Sequence, residues 1–78
     1  MKTLAVIGLG YVGLPLAILS ARKGYHVIGV DVIKKKVDMI NKGISPIDDD
    51  YIKEGLKNAK ITATTDFFGA RCINLILS

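Results

Sequence analysis

The sequence predicts an α/β fold, a parallel sheet with flanking helices. Three observations carry this. Apolar runs that do not alternate end at Val6-Ile7 before Gly8 and at Val30 before Asp31. Between such runs lie segments with apolar residues at helical spacing. Gly8, Gly10 and Gly13 punctuate the first junction, where a strand would hand over to a helix. Strands and helices in alternation argue for parallel pairing with right-handed crossovers.

Lys2 to Ile7 is the first strand; its unbroken apolar character suits a strand covered on both faces. Residues 11 to 23 suit a helix, with Pro15 in the first turn, where a missing N–H is cheap. Arg22-Lys23-Gly24 then supplies cations for the last turn and a glycine stop. Tyr25 to Val30 is a second buried strand ending at Asp31. Residues 34 to 42 read as a helix with Val37 and Ile40 inward and Gly43 as terminator, and Ser45-Pro46 breaks the chain. Ile47 to Ala59 predicts a third helix, with Tyr51 in the core and Asp48, Asp49 and Asp50 near its positive end. "KITATT" is a short strand, Asp66 opens a brief turn, Phe67-Phe68 read as core, and Cys72 to Leu77 is a last strand.

Composition excludes several classes. The chain has 78 residues, one domain or part of one, and half of them are hydrophobic, so it is globular rather than disordered. A domain this short buries only roughly 60% of its unfolded surface. The net charge is +4, and the run Lys34-Lys35-Lys36 reads as a solvated helix face. No aromatics interleave with these lysines, so nothing favours nucleic acid. The one cysteine, Cys72, has no partner for a disulfide or a metal site; it reads as a small buried residue and fits a reducing, cytoplasmic compartment. Thr3 to Ala21 lacks charge over about a bilayer's width, but Gly8, Gly10, Gly13 and Pro15 interrupt it, which a strand, turn and helix explain and a membrane span does not.

The glycines carry the chemistry. GxGxxG alone is weak, but here it follows a strand, opens a helix, and precedes a second strand ending in an acid, Asp31, 18 residues after Gly13. Gly8 permits the tight turn, Gly10 lets a pyrophosphate approach the backbone, and Gly13 lets helix and strand pack closely. The N–H groups around Tyr11 and Val12, with the helix dipole, suit phosphates. Asp31 suits the adenosine ribose hydroxyls and would repel a 2′-phosphate, which favours NAD over NADP. His26, at a strand start, reads as an exposed or simply hydrogen-bonded residue.

Four separated motifs, "VIGLGYVGLPLA", "GYHVIGVD", "INKGISPI" and "ATTDF", resemble the amino-terminal NAD-binding domain of the UDP-glucose/GDP-mannose dehydrogenase family. "GLPLA" is more similar to the UDP-N-acetylhexosamine branch than to the UDP-glucose branch. The resemblance implies a partial Rossmann-like sheet of about four strands, in spatial order 3-2-1-4, filling residues 1–78, with the substrate domain absent. It implies an NAD-dependent oxidoreductase that takes the C6 alcohol of a nucleotide sugar to the acid with two NAD molecules, through an aldehyde held on a cysteine. Gly8, Gly10, Tyr11, Val12 and Gly13 match the pyrophosphate turn, Asp31 the ribose-binding acid, and Lys36 a basic position that many relatives have near the ribose.

The sequence also departs from its relatives. Family members continue into a "VPTP"-type loop, a second half-sheet and a sugar-binding domain, and their nucleophilic cysteine, lysine and asparagine lie far downstream. Cys72 does not match that nucleophile, so no catalytic residue is assigned, and the chain alone is expected to be inactive towards UDP-sugars. "FFGARCINLILS" is shorter than the corresponding link, as a truncated or frameshifted ending would be. Two alternatives stay open: a non-enzymatic nucleotide-sensing module, or the cofactor domain of another NAD dehydrogenase such as a β-hydroxyacid dehydrogenase. "INKGISPI" and "ATTDF" favour the dehydrogenase family over a sensor. The apolar run Cys72–Leu77 predicts an open sheet edge, and with it self-association.

Overall fold

The computed structural model describes residues 3–66 and the backbone of Leu75–Leu77. Seven elements follow in chain order: β1 (Thr3–Ile7), α1 (Gly13–Arg22), β2 (His26–Val30), α2 (Lys34–Asn41), α3 (Asp50–Asn58), β3 (Ile61–Thr64) and β4 (Leu75–Leu77). The described strands form one parallel sheet in the order β3-β2-β1-β4, the expected 3-2-1-4. The register runs from Thr3 opposite His26 to Ile7 opposite Val30, so β1 and β2 end level. β3 lies beside β2 with Val30 opposite Thr64. The expectations for Phe67, Phe68, Cys72 and the start of the last strand lie outside the described residues.

Side chains on a strand alternate between faces. Leu4 and Val6 of β1 and Val27 of β2 join the main core with Leu14, Ala17 and Ile18 of α1, Ile40 of α2, and Ile52 and Leu56 of α3. Ala5 and Val30, on the opposite face, are buried with partly covered Ile7 and Ile28. β1 is therefore covered on both faces at its centre, as its unbroken apolar run requires. Among the described residues no helix is long and apolar enough to cross a membrane.

The helix stops follow from the glycines. At the end of α1, Gly24 takes φ +96°, its N–H donates to Ala21 O, and the Tyr25 N–H reaches back to Ser20 O. The end of α2 repeats this pairing, with Gly43 at φ +76° and the Ile44 N–H on Met39 O. These are paired C-terminal closures in which a left-handed residue is needed.

Three expectations shift. α1 begins at Gly13 rather than at residue 11, so Tyr11 and Val12 belong to the turn and their side chains are exposed. α3 runs Asp50–Asn58 rather than 47 to 59, because the Asp49 carboxylate accepts the Ile52 N–H and caps the helix there. Tyr51 is not core: it is 44% exposed, with the Arg22 guanidinium 5.1 Å from its ring centroid. A ring that packs against a cation at the surface keeps its hydroxyl in water.

Candidate functional site

In an open parallel sheet, ligands bind beyond the carboxyl ends of the strands. The ends of β1 and β2 meet there, and the segment Gly8–Val12 crosses above them into α1. A shallow cleft lined by Ile40, Gly43, Leu56 and Lys60 lies at the other end, beside the start of β3.

Gly8 adopts φ +89°, a left-handed conformation that turns the chain sharply after β1. Its N–H donates to Val30 O at 2.7 Å, which ties the turn to the end of β2. A Cβ on Gly13 would lie 1.7 Å from Gly8 O, so the first turn of α1 rests directly on the backbone leaving β1. A Cβ on Gly10 would meet nothing within 4 Å; this glycine faces open space.

α1 starts without a cap of its own. The residue before it, Val12, has no side-chain acceptor to offer, and the first turn holds no acid. The first backbone bond into the helix is the Leu14 N–H on Gly10 O, and Pro15 has no N–H. The N–H groups of Gly10, Tyr11 and Val12 make no hydrogen bond to the described residues. Orphan donors at a helix start, with the positive end of the dipole behind them, form an anion-binding geometry.

Asp31 follows β2 and is only 8% exposed. Its carboxylate spans two segments: Oδ2 accepts the Leu9 N–H at 2.9 Å and Oδ1 the Ile33 N–H at 2.9 Å. Burial pushes its pKa up. The Ile33 and Leu9 N–H groups, the Lys36 charge and the Val32 N–H outweigh that, so the group stays ionised below the usual carboxylate range. A carboxylate offers about four lone-pair sites, so acceptor capacity remains beyond these internal partners. Lys36 is half-buried on the first turn of α2, while Lys34 and Lys35 are exposed, with Lys34 3.2 Å from Asp38. Lys34 and Lys35 thus form the solvated helix face expected of the run, while Lys36 is half-buried and its charge helps lower the Asp31 pKa.

The structure therefore gathers Gly8, Gly10, Tyr11, Val12, Gly13, Asp31 and Lys36 at one end of the sheet. His26 sits exposed at the opposite end, at the start of β2. Sequence reading missed Leu9, which is completely buried between two turn glycines, and Gly29, which it contacts. The signals were present: an apolar side chain inside a turn, and a glycine inside an apolar strand, which marks a close approach.

Residues 2–73 match the model of the UDP-glucose/GDP-mannose dehydrogenase family, NAD binding domain. The chain belongs to this family. Among curated relatives, a GDP-mannose 6-dehydrogenase from Pseudomonas putida is 41% identical over 68 residues, covering 82% of this chain and 16% of the relative. A UDP-N-acetyl-D-mannosamine dehydrogenase from Methanococcus vannielii is 46% identical over 59 residues, covering 76% of this chain and 14% of the relative. Among solved structures, the UDP-D-ManNAc dehydrogenase of Pyrococcus horikoshii superposes with a TM-score of 0.87 at 34% identity, over 96% of this chain and 19% of that one. A ternary complex of the Pseudomonas aeruginosa GDP-mannose dehydrogenase gives 0.82 at 39% identity, over 90% and 17%. The chain thus spans about a sixth of the length of these dehydrogenases. Of the three readings open from sequence, membership in this family stands, and NAD is the cofactor of the matching domain. Both GDP-mannose and UDP-N-acetylmannosamine enzymes are among its relatives.

Proposed function

We propose that this chain is the cofactor-binding portion of an NAD-dependent nucleotide-sugar 6-dehydrogenase, and that its glycine turn and Asp31 hold the cofactor. One observation carries the assignment: the three N–H groups of Gly10, Tyr11 and Val12 lie together at an uncapped helix start, beside a buried ionised carboxylate. NAD, when bound, would supply the hydride acceptor for the substrate alcohol; the residues of this chain would bind and orient it.

Each residue has a task in this reading. The open space over Gly10 admits the pyrophosphate to the backbone, where a Cβ would stand in the way. The N–H groups of Tyr11 and Val12 donate to its oxygens, and the exposed side chains of both flank the entry. Gly8 and Gly13 hold the turn against the helix. The remaining acceptor capacity of Asp31 takes the ribose hydroxyls, and the Ile33 and Leu9 N–H groups, with the Lys36 charge, keep the carboxylate ionised. A 2′-phosphate placed there would meet a buried negative charge, so NAD is preferred to NADP.

The wider readings rest on the family. A complete enzyme of this kind would oxidise the C6 alcohol of a UDP-sugar or a related nucleotide sugar in the cytoplasm, and residues 1–78, which span about a sixth of its relatives' length, would not do so alone. β4 is the outer strand of the described sheet, and its outer side, which no described strand pairs, suits pairing with a second copy. Sedimentation over a concentration series tests that pairing; a monomer at all concentrations would exclude it.

Calorimetric titration of the chain with NAD+ and NADP+ tests the cofactor site. NAD+ is expected to bind more tightly. Asp31→Ala should weaken it by about 1.5–3 kcal/mol, the range for hydrogen bonds to a charged group. Tighter binding of NADP+ would contradict the role given to Asp31.

A further inference from the structure

The glycine turn is held from below by three consecutive residues at the end of β2. Val30 O accepts the Gly8 N–H at 2.7 Å, and Asp31 Oδ2 accepts the Leu9 N–H at 2.9 Å. The third contact is one of shape. Leu9 is 0% exposed, and its side chain descends onto Gly29. A Cβ on Gly29 would lie 2.8 and 2.9 Å from the two Leu9 methyls and 3.3 Å from Leu9 Cγ. Three atoms of one branched side chain thus fill the place a Cβ would take. A close-packed interior leaves a buried leucine little room to turn aside.

We propose that Gly29 is a positioning residue for the cofactor: its missing side chain seats Leu9, and the seated Leu9 sets the height of the N–H groups at Gly10, Tyr11 and Val12. Leu9 is covalently next to Gly10, so a lift of Leu9 carries the donor fan with it. The same lift draws the Leu9 N–H away from the Asp31 carboxylate, the group on the ribose side. One displacement thereby disturbs both halves of the proposed site. Glycine is otherwise a poor choice in the centre of a strand, where it forfeits packing and chain entropy. The inference rests on the cofactor reading above.

A double-mutant cycle tests it. With Leu9 present, Gly29→Ala should weaken NAD+ binding about tenfold, the effect of modest overpacking. With Leu9→Ala in place, the same Gly29→Ala change should alter affinity less than about twofold, because the clashing atoms are gone. Leu9→Ala alone should weaken binding severalfold through the loosened turn. Gly55→Ala is the control. Its Cβ would meet Ile18 at 2.7 Å, an equally tight contact, but between α3 and α1. That variant should lose stability and keep its affinity for NAD+.

Amide hydrogen exchange of the ligand-free chain gives a readout independent of NAD+. Gly29→Ala should speed exchange at Leu9 relative to Val6, and Leu9→Ala with Gly29→Ala should restore protection at position 9. If Gly29→Ala fails to fold, the comparison of Leu9→Ala with the double variant decides: a tenfold difference between them overturns the proposal. So does unchanged affinity in Leu9→Ala, or a Gly29→Ala protein with lowered stability but wild-type affinity and Leu9 protection. Failure of the wild-type chain to bind NAD+ would sink the cofactor reading instead, while the exchange measurements still judge the seating of Leu9.

Discussion

Helices α1 and α3 begin in opposite ways. α3 caps itself: the Asp49 carboxylate accepts the Ile52 N–H at 3.1 Å, and Asp50 places a second negative charge in the first turn. Its dipole is answered from within the chain. α1 offers no capping side chain and no acid, and three N–H groups before it go without a protein acceptor among the described residues. A helix start left bare is a cost to the folded chain, and self-capping would have been one residue away. α2 also lacks a side-chain cap and a first-turn acid, so a missing cap by itself marks nothing. What sets α1 apart is the glycine turn before it, whose three N–H groups find no acceptor among the described residues, and this is where we propose that an outside anion sits.

The strongest challenge to this contrast is Gly13→Ala. Its Cβ would press on the backbone of Gly8, at 1.7 Å from O and 2.9 Å from C, and backbone has nowhere to rotate. We expect a loss of more than about 3 kcal/mol, beyond ordinary overpacking. Urea unfolding followed by circular dichroism measures it. A near-normal midpoint would mean the turn is not wedged against α1.

Acid comes next. The folded pKa of Asp31 lies below its ordinary value of 3.8, so its contribution to stability is full above that value and fades as pH falls through the lower folded value. Stability measured from pH 5 downward should drop in this window. Asp31→Asn should flatten that part of the profile, since its side-chain oxygen no longer titrates. An unchanged profile would remove the carboxylate as the tie between β2 and the turn.

Val12→Asp gives α1 the charge that α3 already has. It should weaken NAD+ about tenfold by repelling the pyrophosphate, and raise the stability of the ligand-free chain by about 0.3–1 kcal/mol. Equal NAD+ affinity would argue that phosphates do not sit at this helix start. The smallest effect belongs to α3: Asp49→Ala should cost about 1 kcal/mol of stability, the usual worth of a cap, and leave NAD+ binding alone. Thermal unfolding with and without NAD+ separates the two.

Much of this was legible in the chain itself. The strand–turn–helix–strand–acid order around Gly8, Gly10, Gly13 and Asp31 is local, and local order is written in glycine placement and apolar runs. The glycine stops at Gly24 and Gly43 were legible for the same reason: both need a left-handed conformation that side chains resist. The position of Tyr51 was not. Helical spacing places a residue on a face, but whether that face is covered at its edge depends on the neighbouring helix. Here α1 brings Arg22 to the ring rather than apolar cover.

The sequence by itself therefore determined most of the elements, their parallel direction and the place of the glycine turn, because each follows from contacts within a few residues or from a fixed handedness; the strand order came with the family resemblance. Only the tertiary structure decided how the turn is held. Leu9 and Asp31 are 22 residues apart, as are Asn41 and Ala63, where the asparagine amide pairs with both the N–H and the C=O of the β3 residue. Neither pairing has a periodic signal. The first exists only once parallel registration brings the ends of β1 and β2 level, the second only once α2 docks against β3. A carboxylate that sequence assigns to a ligand then turns out to have its first partners inside the fold.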